Sequence, residues 1–186
     1  MNYNNTKKTG CSCKSSFFNG GNKKVNKTRK KNHIIKGVAV FGENENNVKG
    51  VIHLEEKKNG LEIRYEISGL SDGLHGFHIH EYGDLTEGCH SACSHFNPLH
   101  KKHGGPDSDN RHEGDLGNVL SKNNLAIGKV FAKGLCLKAN SKMSVLGRMI
   151  IVHEKEDDLG KGGDEESLKT GNAGSRLACG VIGLKK

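Results

Sequence analysis

Apolar and polar residues alternate along much of the chain after residue 33. The clearest case is 61–68, where Leu61, Ile63, Tyr65 and Ile67 alternate with charged or polar residues. Side chains on a β-strand point alternately to opposite faces, so this pattern places one face in a core and the other in water. We therefore predict a β-strand at 61–68.

Seven further short apolar runs, separated by turn residues, are typical of strands. They lie at 38–41, 48–54, 76–82, 117–120, 126–131, 148–152 and 179–184. The 26 glycines and two prolines, with a hydrophobic content of 33%, favour turn-rich β structure over a helical bundle. We predict an all-β fold in which eight antiparallel strands form a sandwich or barrel.

Two polar segments, 83–115 and 154–177, are far longer than ordinary hairpin loops. Loops of this length usually carry function or are disordered. Because most of the histidines lie in or beside the first segment, we expect two long functional loops.

The charge of the chain divides at residue 33. Lys and Arg number 29 against 21 Asp and Glu, but residues 1–33 hold nine of the basic residues and no acidic residue. Residues 34–186 therefore carry 20 basic against 21 acidic residues. With little apolar content, 1–33 is predicted to be a basic, disordered N-terminal extension ahead of one domain at 34–186.

This division limits the classes of partner. A nucleic-acid-binding protein is expected to carry its basic patch on the folded domain, so we predict at most weak contact with nucleic acid through the extension.

The sequence holds no run of 18 apolar residues, which argues against a membrane span. The first basic residues are not followed by the apolar run of a secretory signal, and we expect a cytoplasmic protein.

The spacing of the histidines suggests metal sites. His78 and His80 are two residues apart on a predicted strand, so their side chains share a face. Further candidate ligands follow in the first long segment and at the end of an apolar strand: His95, His103, His112, Asp115 and His153. This set exceeds the needs of one tetrahedral ion and suggests two sites. All-imidazole ligation suits copper, and three His with one Asp suit zinc.

Six runs of residues resemble those of the copper/zinc superoxide dismutases, in particular the intracellular members. They are 73–84 (GLHGFHIHEYGD), 95–98 (HFNP), 103–106 (HGGP), 111–118 (RHEGDLGN), 152–155 (VHEK) and 171–180 (GNAGSRLACG). The runs keep one order and near-constant spacing across 34–186. The resemblance implies a Greek-key, immunoglobulin-like sandwich and the dismutation of superoxide to oxygen and hydrogen peroxide.

The resemblance also implies one copper and one zinc ion per subunit. The copper ligands that it implies are His78, His80, His95 and His153. The zinc ligands that it implies are His95, His103, His112 and Asp115, so that His95 bridges the two metals. Asp157 matches a carboxylate that links a copper-ligand histidine to a zinc-ligand histidine.

In the family, copper alternates between Cu(II), which oxidises one superoxide, and Cu(I), which reduces the next. The zinc-supported His95 would release copper and take up a proton in the second step. Arg176 matches the family's active-site arginine, which holds the anionic substrate. The residues expected to steer the substrate are Lys155, Glu165, Glu166, Lys169 and Thr170.

The resemblance pairs Cys89 with Cys179 in an intrasubunit disulfide. The motifs at 82–84, 146–147 and 180–184 match the family's dimer surface and imply a homodimer. Leu177 stands where chaperone-dependent relatives carry proline, which favours copper loading without a dedicated chaperone.

The alternative is a catalytically silent copper-binding or copper-chaperone domain of the same fold. Such a domain is expected to lack copper ligands or the arginine. This chain retains all four implied copper ligands and Arg176, so we expect an enzyme.

Overall fold

The computed structural model describes residues 34–186, and the extension predicted at 1–33 lies outside this range. The described residues form nine strands: β1 (Lys36–Phe41), β2 (Lys49–Lys57), β3 (Gly60–Ser68), β4 (Gly73–His80), β5 (Asp115–Ser121), β6 (Leu125–Lys133), β7 (Met149–His153), β8 (Arg176–Val181) and β9 (Gly183–Leu184). They also contain a 3₁₀ turn at His90–Ala92 and the short helix α1 (Ser167–Thr170). Neither of these two helical turns is long or apolar enough to cross a membrane.

The strands pair in two antiparallel sheets. One sheet has the order β6-β3-β2-β1-β9 and the other has the order β5-β4-β7-β8. The chain leaves β3 for two strands in the second sheet and then returns to pair β6 with β3, which is a Greek-key connection. The all-β sandwich predicted from the sequence is confirmed.

The alternation in the sequence corresponds to burial. In β3, Leu61, Ile63 and Ile67 belong to the core, whereas Arg64 is exposed. All five residues of β7 are buried instead, because this central strand has the core on one face and long loops on the other. The core lies between the two sheets, as burial of one face of each sheet requires.

The last predicted strand differs from the structure, because it is divided at Ile182. This side chain is buried in the core. Its N–H donates to the carbonyl of Arg148 at 2.8 Å, and its carbonyl accepts from the N–H of Gly147 at 2.8 Å. β8 therefore stays beside β7, while β9 pairs with β1 in the other sheet. The chain changes sheets where Ile182 enters the core.

Three neighbouring strands of the four-stranded sheet position the candidate ligands. β4 carries His78 and His80, β5 begins at Asp115, and β7 ends at His153. In the pairing of β4 with β5, His78 lies opposite Asp115. Since Phe77 and Ile79 belong to the core, His78 and His80 point to the opposite face of the sheet.

Candidate metal centre

The structure brings seven predicted ligands together in two adjoining groups, all of them buried. The first group, which we call the four-histidine cluster, consists of His78, His80, His95 and His153. The second group, which we call the three-histidine cluster, consists of His95, His103, His112 and Asp115. His95 belongs to both groups, so the two clusters share one imidazole.

Outer hydrogen bonds decide which ring nitrogens of the four-histidine cluster face inward. His80 donates through Nδ1 to the carbonyl of Cys93 at 2.8 Å, and His153 donates through Nδ1 to the carbonyl of Gly174 at 3.2 Å. Their Nε2 atoms lie 3.3 Å apart. His78 is reversed, because its Nε2 donates to Asp157 at 2.8 Å. The cluster therefore offers Nδ1 of His78 and Nε2 of His80 and His153.

The three-histidine cluster is arranged around one oxygen of Asp115. The Nδ1 atoms of His95, His103 and His112 lie 2.8, 3.1 and 3.2 Å from Asp115 Oδ1. The other oxygen, Oδ2, accepts the backbone N–H of Gly104 at 3.1 Å and that of His112 at 2.9 Å. Since His95 turns Nδ1 to this cluster, its Nε2 is left for the other cluster.

Asp157 joins the two clusters. Its Oδ2 accepts from His78 Nε2 and its Oδ1 accepts from His103 Nε2, each at 2.8 Å. Asn118 holds the backbone of Asp157 in two bonds, accepting from its N–H at 2.8 Å and donating to its carbonyl at 2.9 Å. A carboxylate in this position fixes the tautomer and orientation of both rings.

The pKa values suit metal-binding imidazoles in the four-histidine cluster. Burial, reinforced by the neighbouring imidazoles, lowers the pKa of His78 and His80 well below the ordinary value and that of His153 to about 3. These rings are therefore neutral at pH 7, which is the form that binds a metal.

In the three-histidine cluster, charged neighbours outweigh the effect of burial on the pKa values of His103 and Asp115. Burial lowers the pKa of His103, but the carboxylates of Asp115 and Asp157 outweigh this effect and raise it to about 9. Burial also raises the pKa of Asp115, but the surrounding histidines hold it far below its ordinary range. This cluster therefore has a charged carboxylate that favours a cation among the three rings.

The residues fit copper and zinc. Ligand atoms bound to a tetrahedral zinc at about 2.0 to 2.1 Å lie about 3.3 to 3.4 Å apart, close to the spacing of the nitrogens from Asp115 Oδ1. Two buried ring nitrogens, Nδ1 of His78 and Nδ1 of His103, form no hydrogen bond with any residue of 34–186, and one belongs to each cluster. Although His103 Nδ1 lies 3.1 Å from Asp115 Oδ1, the two atoms do not form a hydrogen bond. A metal ion in each cluster would satisfy the nitrogen that faces it. Four imidazoles suit copper, and three imidazoles with one carboxylate suit zinc.

A cavity of about 590 Å³ opens onto the four-histidine cluster. His80, His95, His153 and Arg176 line it, so the guanidinium and three of the imidazoles face one space. Arg176 donates to the carbonyl of Cys89 at 2.5 Å and to that of His90 at 3.0 Å, which fixes its position. A fixed cation beside imidazole ligands suits a small anion.

Four of the five residues expected to steer the substrate line this cavity: Lys155, Glu166, Lys169 and Thr170. Glu165 is placed differently, since it is absent from the lining and lies 3.3 Å from the ammonium group of Lys169. It pairs with Lys169 because the two residues are one turn apart on α1 and the segment before it.

A disulfide joins Cys89 to Cys179, as predicted. It connects the first long loop to β8, which begins at Arg176. The carbonyl of Cys89 is also a partner of Arg176, so the bond anchors the loop that positions the guanidinium.

Sequence reasoning missed three supports of the centre. Asn118 holds Asp157, and the carbonyl of Cys93 orients His80. Gly171 leaves room for both Asp157 and His103, since a Cβ there would meet their side-chain atoms at 2.0 and 2.4 Å. No sequence signal marks the carbonyl of Cys93, but Asn118 and Gly171 belong to the motif runs at 111–118 and 171–180.

Comparisons with known proteins agree with this centre. The chain is 52% identical over 152 residues to superoxide dismutase [Cu-Zn] A of Xenopus laevis, covering 81% of this chain and 99% of the relative. It also resembles the crystal structure of the clock protein EA4 with a TM-score of 0.75 and 43% identity, over 81% of this chain and 94% of that chain.

The prediction of a cytoplasmic location was wrong. A relative from Brugia pahangi, 48% identical over 79% of this chain and 75% of its own length, is named an extracellular superoxide dismutase [Cu-Zn]. The disulfide between Cys89 and Cys179 adds to this contradiction, because such bonds are rare in the cytosol. The resemblance to intracellular members in particular is likewise not established.

One family model covers most of the domain. It is the model of copper/zinc superoxide dismutase (SODC), and it matches residues 48–182. This range contains both clusters, Asp157, Arg176 and the disulfide. The chain therefore belongs to the copper/zinc superoxide dismutase family.

Proposed function

We propose that this protein catalyses the dismutation of superoxide, in which two superoxide ions and two protons give one oxygen and one hydrogen peroxide. The observation that carries the proposal is the shared space of Arg176 with His80, His95 and His153 beside two metal-ligand clusters. Bound copper supplies one-electron oxidation of one superoxide and one-electron reduction of the next, and zinc supports the shared histidine.

Each of the two clusters is assigned one of the two metal ions. Copper is assigned to the four-histidine cluster, through Nδ1 of His78 and the Nε2 atoms of His80, His95 and His153. Zinc is assigned to the three-histidine cluster, through the Nδ1 atoms of its histidines and the carboxylate of Asp115. The donor sets support this division, because copper favours imidazole and zinc accepts a mixed set.

Arg176 binds and orients the anionic substrate. Its guanidinium is half-buried and fixed by backbone carbonyls, and no carboxylate within the described residues forms an ion pair with it. Lys155 and Lys169 add positive charge to the walls of the cavity, with Glu166 as a counter-charge. Such a local field raises the rate of encounter with an anion although the domain is nearly neutral.

His95 is positioned to donate one of the two protons that the reaction consumes. Its Nδ1 is committed to the three-histidine cluster, so only Nε2 faces the substrate side. Nε2 can carry a proton only when it is not bound to copper; in that form the proton would lie beside the cavity and be available to the peroxide product.

We also propose that the domain at 34–186 forms a homodimer. The three motifs of the expected surface include Tyr82 and Leu184, which are 51% and 63% exposed. Light scattering tests the proposal, and a monomeric mass would contradict it. Leu177 favours copper loading without a chaperone. Copper loading in cells that lack the chaperone tests this point, and an inactive, copper-free product would reject it.

The test of the function is a superoxide dismutation assay on protein loaded with copper and zinc. We expect fast dismutation that chelation of copper abolishes and that added copper restores. A loaded protein with full metal content and no activity would reject the enzyme in favour of a silent copper-binding domain.

A further inference from the structure

Glu113 is a buried acid that the function described above does not use. It is 7% exposed, and its Oε2 is one of three buried side-chain atoms without a hydrogen-bond partner within residues 34–186. The other two such atoms are the ring nitrogens of His78 and His103 that face the clusters. A buried carboxylate is costly and requires a partner charge.

The partner charge is Lys101. Its Nζ lies 3.3 Å from Glu113 Oε1, and its side chain is 33% exposed. Asn97 holds the backbone of Lys101 in two bonds, accepting from its N–H at 2.9 Å and donating to its carbonyl at 2.8 Å. The ammonium group is therefore presented to Glu113 from a fixed stretch of chain.

The position of the pair relates it to the three-histidine cluster. Lys101 precedes His103 by two residues, and Glu113 lies between His112 and Asp115. The chain from 101 to 113 contains no helix or strand, so side-chain contacts fix the spacing of these ligands. Besides the ion pair, the N–H of Lys102 donates to Asn110 Oδ1 at 3.4 Å and the N–H of Gly104 donates to Asp115 Oδ2 at 3.1 Å. The ion pair joins the two ends of this segment.

We propose that the Lys101–Glu113 pair positions His103 against His112 and Asp115, and thereby sets the zinc affinity of the three-histidine cluster. Both residues are positioning residues, since neither is a ligand. The inference rests on the zinc ligands assigned under the proposed function. Groups that hydrogen-bond a metal ligand typically change metal affinity by about tenfold to a hundredfold, and this pair acts on the ligands through the chain that connects them.

The test is zinc competition against a chromophoric chelator, using the full-length protein. We expect Lys101→Met and Glu113→Gln each to weaken zinc binding about tenfold or more, while copper binding measured without zinc stays within about twofold. Lys101→Arg keeps the charge and is expected to retain zinc affinity. The matched control is Lys102→Met, because Lys102 is exposed and forms no ion pair in the described part of the chain.

A double variant separates positioning from the cost of a buried charge. Lys101→Met with Glu113→Leu removes both charges, so the thermal stability of the metal-free protein is expected to recover. Zinc affinity is expected to stay low, because the tie across the segment is still missing. Recovery of wild-type zinc affinity in this variant would overturn the proposal, as would equal losses for copper and zinc.

One further variant distinguishes this inference from the ligand assignment. His112→Ala is expected to weaken zinc binding far more than Lys101→Met does. If His112→Ala leaves zinc binding unchanged, the assigned ligands and the inference both fail. If only the Lys101 and Glu113 variants leave it unchanged, the inference alone fails.

Discussion

Gly171 lies so close to Asp157 that a Cβ at residue 171 would come within 2.0 Å of Asp157 Oδ1. The same Cβ would be 2.4 Å from His103 Nε2, and the backbone of Gly171 has a positive φ of 68°. The absence of a side chain at this residue therefore allows the carboxylate to reach the imidazole.

The first prediction concerns this glycine. Gly171→Ala should displace Asp157 from His103 and weaken zinc binding by about tenfold or more, as loss of an outer hydrogen bond to a ligand does. Chelator competition measures the change. Gly163→Ala is the control, since Gly163 lies in the same loop at φ 83° with open space around its Cβ position. Equal losses of zinc affinity in the two variants would show that backbone strain, and not contact with Asp157, causes the loss.

The second prediction concerns Asp157 itself. Asp157→Asn removes one of the two acceptor oxygens that hold His78 and His103, so zinc affinity should fall about tenfold to a hundredfold and the visible spectrum of bound copper should shift. Glu156→Gln, a change at the exposed neighbouring residue, should alter neither quantity. An Asp157→Asn protein with wild-type zinc affinity and spectrum would refute the linking role.

The third prediction concerns substrate encounter. Arg176→Gln should lower the rate constant for superoxide by about tenfold and flatten its dependence on ionic strength, because part of the attracting field is lost. Stopped-flow or pulse-radiolysis rates at several salt concentrations measure both effects. Arg64→Gln, on the exposed face of the other sheet, is the control for net charge. A rate that falls equally in both variants would argue against a local role.

The fourth prediction concerns the disulfide. The double change Cys89→Ser and Cys179→Ser should lower the free energy of unfolding by about 2 to 5 kcal/mol, as measured in denaturant. It should also slow dismutation, because the carbonyl of Cys89 helps to hold Arg176. Cys93→Ser, at an exposed free cysteine, should leave stability nearly unchanged. Undiminished activity in the double variant would show that Arg176 keeps its place without the bond.

Sequence alone located the strands, apart from the division of the last one at Ile182, because the signal of a strand is local. Alternation at 61–68 indicates which side chains of β3 are buried, and short apolar runs between turn residues indicated the other strands. The candidate metal ligands could be predicted from the sequence for a different reason. Their order and spacing within six motif runs carried a family resemblance, although spacing alone left the division between copper and zinc open.

Tertiary structure decided what depends on contacts between distant residues. The break at Ile182 follows from its burial and its bonds to the chain at 147–148. Asn118 supports Asp157 across 39 positions, and Lys101 meets Glu113 across a segment without regular structure. Glu165 does not line the cavity beside the four-histidine cluster, although its partner Lys169 does. Local patterns define strands and donor types, whereas these pairings exist only after the sheets have brought the loops together.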